Sequence, residues 1–469
     1  MTTRRLPALA AALALVAAAC ANPPATTAPS ATSAPPAQSG APTTEPSASA
    51  APSTGYAELD AALAGEYAGA DVTILSQWIE GEGEAFDDSL QEFRDATGIN
   101  LDHEGISNYE TVLGVRVEGG DAPDIAQIAQ PGTMQSYQAD GKLVDLSSIL
   151  DTSRISTDFN PSLVDLATVD GKLYGLFYKQ DLKSIVWYPV QAFEAKGYTV
   201  PTTWDELVAL SDRIVADGSS PWCTTIEHGD ASGWVATDWL EDILLRTAPL
   251  ETYDKWIAHE VPFNDPAVVN AANLMAEMWF KDGYTFGGSE RINGTWVGDS
   301  QSPMFDPAGP KCWLHKQAAW IPDFWPKDGD GNPQFTPGED SAFFYFPEID
   351  PQYGKPVLGG GDMFVVFNDR PEVRAAIQWL STVDAVDHRV EAGGFLAANN
   401  SVPAELYKVY PQSGLAEIAR NATALRFDAS DSMPKEVGAG SFWKGMVKWV
   451  AQNGDGTQAI LDEIEASWP

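Results

Sequence analysis

Between Val72 and Ile125 the chain alternates short β-branched runs with helix-length ones, and this alternation restricts its fold more than any other feature. Val72, Thr73, Ile74 and Leu75 read as a compact strand, Glu82 to Ala96 as a helix ending at Gly98, and Asn100 to Glu104 as a second extended run. Glu110 to Gly119 is helical, and Gly119, Gly120, Asp121, Ala122, Pro123, Asp124 and Ile125 lead into another strand. A β-α-β-α-β opening of this spacing predicts an α/β fold with a doubly wound sheet. Ligands of such sheets bind beyond the carboxyl ends of the strands.

The pattern continues downstream. Leu173 to Tyr178 is a Gly-bounded apolar run, the mark of a short buried strand, with Lys172 and Lys179 at its ends. Thr203 followed by Glu206 has capping-box spacing and predicts a helix over Trp204 to Ala216, stopped near Gly218. Gly359, Gly360 and Gly361 precede Asp362 and the apolar Met363 to Val366. Three consecutive glycines allow the backbone torsions that a hinge or a close ligand approach requires. Pro371 to Ser381 reads as a helix with proline in its first turn.

The N-terminus has a different character. Arg4 and Arg5 precede an apolar run from Leu6 to Ala19, which is a signal peptide in form (1-19) and shorter than the roughly 20 residues of a membrane-spanning helix. Ala18, Ala19 and Cys20 resemble a bacterial lipobox, although Ala17 stands where leucine is usual, and the resemblance implies lipid attachment at Cys20. Residues 20-55 are almost wholly Ala, Pro, Ser and Thr, a composition that forms no packed core and predicts an extended tether. The formal charge of −38 repels phosphate backbones and argues against a nucleic-acid partner. With Cys20 in the anchor, Cys223 and Cys312 remain as an even pair in an exported chain, which points to a disulfide tying two cleft loops. The alternative is two buried free thiols. The five histidines are scattered without metal-ligand spacing, so no metal is expected there.

Asp170 to Leu176, followed by Val200 to Leu207, resembles the strand leading into the hinge and the next helix start of the extracellular solute-binding proteins of bacterial ABC importers, in the cluster that includes maltodextrin-binding protein. The Gly120 to Asp124 run, the Gly359 to Val366 run and the Ser441 to Gly445 stretch are similar to later landmarks of that family, and the likeness extends from Val72 to Trp449. Trp222-Cys223, Gly233-Trp234, Cys312-Trp313 and Arg426 to Met433 resemble its α-glucoside-binding members. The resemblance implies a two-lobed periplasmic-binding-protein-like fold, each lobe a doubly wound sheet, joined by a multi-strand hinge. Lobe 1 would comprise 56-176 and 363-415, and lobe 2 would comprise 177-362 and 416-469. It also implies a ligand catcher without catalysis, held outside the cell membrane by lipid, that delivers an oligosaccharide to membrane permease subunits. Trp443 would lie against the sugar.

A pyranose presents an apolar C–H face and a rim of hydroxyls, so its binder needs flat aromatic platforms and planar polar groups. The chain has 16 Trp and 14 Tyr. Trp78, Trp187, Trp234, Trp239, Trp313 and Trp443 are the expected platforms. Polar partners are expected at strand ends and crossings: Gln77, Glu80, Glu82, Gln130, Lys179, Asp181, Gly361, Asp362 and Asp431. Carboxylates accept strong hydrogen bonds from hydroxyls without being catalysts. Asp328, Asp330, Asn332, Gln334, Thr336 and Glu339 match calcium-loop positions, but Pro333 replaces the required glycine, so calcium is only a secondary expectation and no other cofactor is expected. Two alternatives to the sugar catcher are a secreted carbohydrate-active enzyme using paired carboxylates and the same fold binding a non-sugar solute.

Overall fold

The computed structural model describes residues 53–408 and 410–469; the signal peptide, Cys20 and nearly all of the tether lie outside the described residues. The predicted opening is present as β1 (Asp71–Ser76), β2 (Asn100–Gly105) and β3 (Ile125–Ile128), with β1 paired in parallel to both of the others. Parallel pairing requires a crossover on each side, supplied by the helices that end in Thr97 and Gly119. The single helix expected over Glu82 to Ala96 is two helices, Glu80–Ser89 and Gln91–Thr97, broken at Leu90 and closed by Gly98 in the left-handed region (φ 70).

Asp170 and Gly171, both at positive φ, turn a tight hairpin between β4 (Thr168–Val169) and β5 (Lys172–Leu173). The apolar run expected as one strand is therefore divided: β5 ends at Leu173 and β6 (Leu176–Leu182) begins after Gly175. A Cβ at Gly175 would meet Met363 Sδ at 2.5 Å, so the break is where the Met363 side chain packs onto the Gly175 backbone. The chain continues through β7 (Ile185–Pro189), β8 (Ser220–Trp222), β9 (Cys312–Lys316), β10 (Ser341–Tyr345), β11 (Pro356–Val366) and β12 (Ala424–Phe427). The larger sheet runs β12-β11-β3-β1-β2 with β6 also on β11, and the smaller one runs β10-β7-β9-β8.

Two cores result. One gathers Val72, Ile74, Leu101, Ile125, Phe177, Phe364 and Trp379. The other gathers Val186, Trp222, Trp239, Trp279, Leu314, Phe346 and Trp449. They are the interiors of the two lobes. Tyr410 and Leu415 pack with Trp187, Trp325 and Phe343 in a third cluster against the second lobe. The Trp204–Ala216 helix has the anticipated bounds, with both hydrogen bonds of the Thr203/Glu206 capping box formed.

β6 and β11 carry the chain between the lobes. They are antiparallel, and every residue of β11 is buried. None of Gly359, Gly360 and Gly361 has positive φ, which corrects the expected torsional role of this run. Proximity is what demands glycine. A Cβ at Gly360 would lie 2.7 Å from Lys183 Cε, and one at Gly361 would collide with the Lys179 carbonyl oxygen.

Cys223 and Cys312 form a disulfide with Cα atoms 5.3 Å apart. It packs with Met304, Phe286 and Phe305 beside the β8–β9 pair, so it staples the interior of the second lobe and does not tie cleft loops.

Candidate functional site

The strand ends of the first lobe and the loops of the second converge on a cavity of about 110 Å³. Gln77 and Trp78 enter it just past β1, and Gln130 enters past β3, as the strand-end rule predicts. Glu82, Lys179, Asp181, Gly361 and Asp362 line it from the Glu80–Ser89 helix and the crossing strands; Trp234, Asp431 and Trp443 line it from the second lobe.

Lys179 organises the crossing side. Its Nζ donates to Glu82 Oε1 at 2.6 Å and lies 3.6 Å from Asp181 and 3.8 Å from Asp362. Burial disfavours the ammonium, but Asp181, Glu82 and Asp362 outweigh it and hold Lys179 above the ordinary lysine range. Asp362 accepts from Gln127 Nε2 at 2.6 Å and Gln77 Nε2 at 3.5 Å; burial pushes its carboxyl up to about 6.

A second lysine performs the same task for the other lobe. Lys183 Nζ lies 2.9 Å from Asp238, 2.6 Å from Asp428 and 4.0 Å from Asp431. Burial opposes its charge too, and Asp238, Asp428 and Asp431 again raise it. Asp431 is pushed well above the usual carboxylate range, first by burial and then by the Asp428 charge.

Indoles wall the space. Trp320 lies over Lys179 Nζ at 5.8 Å and Trp234 over Lys183 Nζ at 5.6 Å, and the two indoles are 6.0 Å apart at 44°. Trp234 Nε1 donates to His228 Nδ1 at 3.1 Å, and Trp443 Nε1 to Ser430 Oγ at 3.4 Å, which fixes both rings. Flat apolar faces alternating with bound carboxylates and amides match a polyhydroxylated ring.

Four expected site residues are elsewhere. Trp187 is buried on β7, its Nε1 donating to the Gln317 carbonyl, with Trp325 and Phe343 against its ring. Trp239 is in the second core against Trp222 and Trp279. Trp313 is buried with its Nε1 on Ser219 Oγ. Glu80 is exposed at the start of its helix. Cavity residues that sequence reasoning missed include Lys183, His228, Trp296, Trp320, Phe324 and Asp428. Lys183 follows Lys179 by four residues across the turn from β6 to β7, a repeat that gave a usable signal. In the calcium-like loop, the Asp328 carboxylate accepts from the Asp330 and Asn332 amides and the Asn332 side chain, which closes a turn.

The model of a bacterial extracellular solute-binding protein matches residues 77–387. The osmoprotective compounds-binding protein GgtB of Synechocystis sp. is 41% identical over 399 residues, covering 85% of this chain and 92% of its own. The alpha-glucosides-binding periplasmic protein AglE of Rhizobium meliloti is 39% identical over 413 residues, covering 85% and 87%. Among solved structures, the bacterial solute receptor AcbH superposes with a TM-score of 0.71 at 20% identity, over 84% of this chain and 97% of its own. Maltose-bound MalE3 of T. maritima superposes at 0.66 and 17% identity, over 85% and 99%. The fold, the cleft between two lobes and the sequence match through both of them agree: the chain belongs to the bacterial extracellular solute-binding proteins, a family of ABC importers.

Proposed function

We propose that this protein captures a compact α-glucoside by closing its two lobes over it, and hands the sugar to a membrane permease without chemical change. The observation that carries this is the cavity itself, in which Trp78, Trp234, Trp320 and Trp443 surround the Lys179 and Lys183 carboxylate clusters and both lobes contribute walls. The relatives GgtB and AglE, named for osmoprotective compounds and alpha-glucosides, support the ligand class. The size supports its lower end. At about 110 Å³ the space is smaller than the usual ligand pocket of roughly 300–1,000 Å³, which favours a compact sugar over a longer oligosaccharide.

In this mechanism the sugar touches both lobes only when they are closed, so its extra affinity for that state drives closure. The crossing strands β6 and β11 bend, and the permease reads the closed form. Cys20 with the Ala/Pro/Ser/Thr tract anchors the body outside the membrane, and no cofactor takes part. Isothermal titration calorimetry with maltose, trehalose, sucrose and longer α-glucans, with chromatography of the sugar afterwards, tests this function. One-to-one binding of a mono- or disaccharide recovered intact is expected. Hydrolysis of any of them would move the protein to the enzyme class, and binding only of non-sugar solutes would overturn the ligand.

A further inference from the structure

At the cleft mouth, one residue of the second lobe completes a helix of the first. The Tyr109–Gly119 helix has Asn108 at its N-cap with no side-chain cap, which leaves the Thr111 amide to a partner from outside the helix. The Asp230 Oδ2 atom accepts from the Thr111 amide at 2.7 Å, across the cleft from the turn Gly229–Ala231. The fit is close, since a Cβ at Gly229 would lie 2.5 Å from Asn108 Oδ1. The other Asp230 oxygen, Oδ1, is buried without a hydrogen-bond partner, and the Glu110 carboxyl lies close enough to the Asp230 carboxyl to interact with it.

We propose that Asp230 is the latch of the closed state and that a proton on Glu110 sets it: protonated Glu110 donates to Asp230 Oδ1 while Oδ2 holds the Thr111 amide. With both carboxyls ionised, two like charges face each other at the mouth and the latch weakens. Opening separates them and returns both to water. The balance is one proton taken up by the Glu110 carboxylate on closing and released on opening.

The surroundings agree with this assignment. Burial, followed by the Asp230 charge, pushes Glu110 up to about 7, and the hydrogen bond from its own backbone amide, then Lys435 on the second lobe, only partly oppose this. Tyr109 on its own helix and Tyr137 on the Pro131–Ala139 helix also face Glu110; their phenols are raised by burial and remain neutral. His228 and Glu227 flank Asp230, and the His228 imidazole is lowered by burial. The sign follows. Closed Glu110 holds its proton up to about pH 7 while open Glu110 loses it at the ordinary carboxylate value, so closure is favoured at low pH and that advantage is lost as pH rises through 7.

The inference rests on two-lobe closure but on no particular ligand, so its test uses the full chain without sugar. Hydrogen–deuterium exchange of the segment around Thr111, corrected for intrinsic rates, is followed from pH 5.5 to 8. In the wild type, protection of this amide should fall on the order of tenfold across that range. Glu110→Gln, which always donates, should keep the protection at every pH. Asp230→Ala should lose it at every pH while the β1 amides stay protected, which shows the fold intact. A Glu110→Gln profile that superimposes on the wild type overturns the proton's role. An Asp230→Ala variant that keeps the protection, or a wild-type Thr111 amide unprotected at pH 5.5, overturns the latch.

Discussion

Lys179 and Asp362 face each other in register on the two antiparallel crossing strands, with Lys179 Nζ 3.8 Å from Asp362 Oδ2 and 2.6 Å from Glu82 Oε1. The register changes immediately after Asp362, so the irregularity of β11 coincides with the polar floor of the cavity. A bulge beside a site re-aims side chains and bends a strand. The same residues thus join the lobes and face the ligand.

Removing the lysine strands the buried Glu82 and Asp362 carboxyls and the partly exposed Asp181. Lys179→Met should destabilise the chain by about 3–5 kcal/mol, the cost of breaking a buried pair, read as a lower urea midpoint. An unchanged midpoint would mean that the cluster is well solvated.

Two tryptophans separate wall from core. Trp234→Ala should weaken sugar binding about tenfold or more, roughly 1.4 kcal/mol, with little change in melting temperature. Trp187→Ala should cost about 3–5 kcal/mol of stability and leave the dissociation constant of the folded protein nearly unchanged. Calorimetry paired with thermal melts distinguishes them, and a reversed pattern would misplace the site.

The disulfide closes a loop with a sequence separation of 89. Reduction should lower stability by up to about 4–5 kcal/mol while leaving binding at 25 °C intact, because the bridge is in the second lobe away from the cavity. Loss of binding on reduction, with the chain still folded, would place the bridge in the cleft.

Buried His315 donates through Nδ1 to the Cys223 carbonyl, and burial lowers its imidazole to about 4. The unfolded chain takes the proton below about 6.5, so this group withdraws stability as pH falls from there toward 4, about 1.4 kcal/mol per unit. Urea midpoints of wild type and His315→Gln across pH 4–7 should diverge, the variant falling less steeply. Parallel profiles would place the imidazole in water.

Short-range chemistry was the most legible in the sequence. The Thr203/Glu206 box needs only residues three apart, and its helix has the expected bounds. The β1 to β3 alternation is similarly local. The Gly359 to Gly361 run was recognisable as a crossing, but its reason was hidden, because the collisions that require glycine involve Lys179 and Lys183 about 180 residues away. The tryptophans show the sharpest limit. Trp234 and Trp239 are on one helix, yet the first faces the cavity and the second is enclosed by Trp222 and Trp279, a difference set by tertiary packing. Trp320 was invisible for the same reason, since its role depends on lying over Lys179.

Sugar-driven closure is the central claim, and small-angle X-ray scattering of the chain at pH 8, where the mouth latch is weakest, with and without maltose or trehalose tests it most directly. The radius of gyration should fall saturably with a one-to-one dependence on the sugar that binds, and Gly229→Val, which places a side chain against Asn108, should block the fall while the protein remains folded. A radius unchanged at saturating bound sugar would contradict capture by closure.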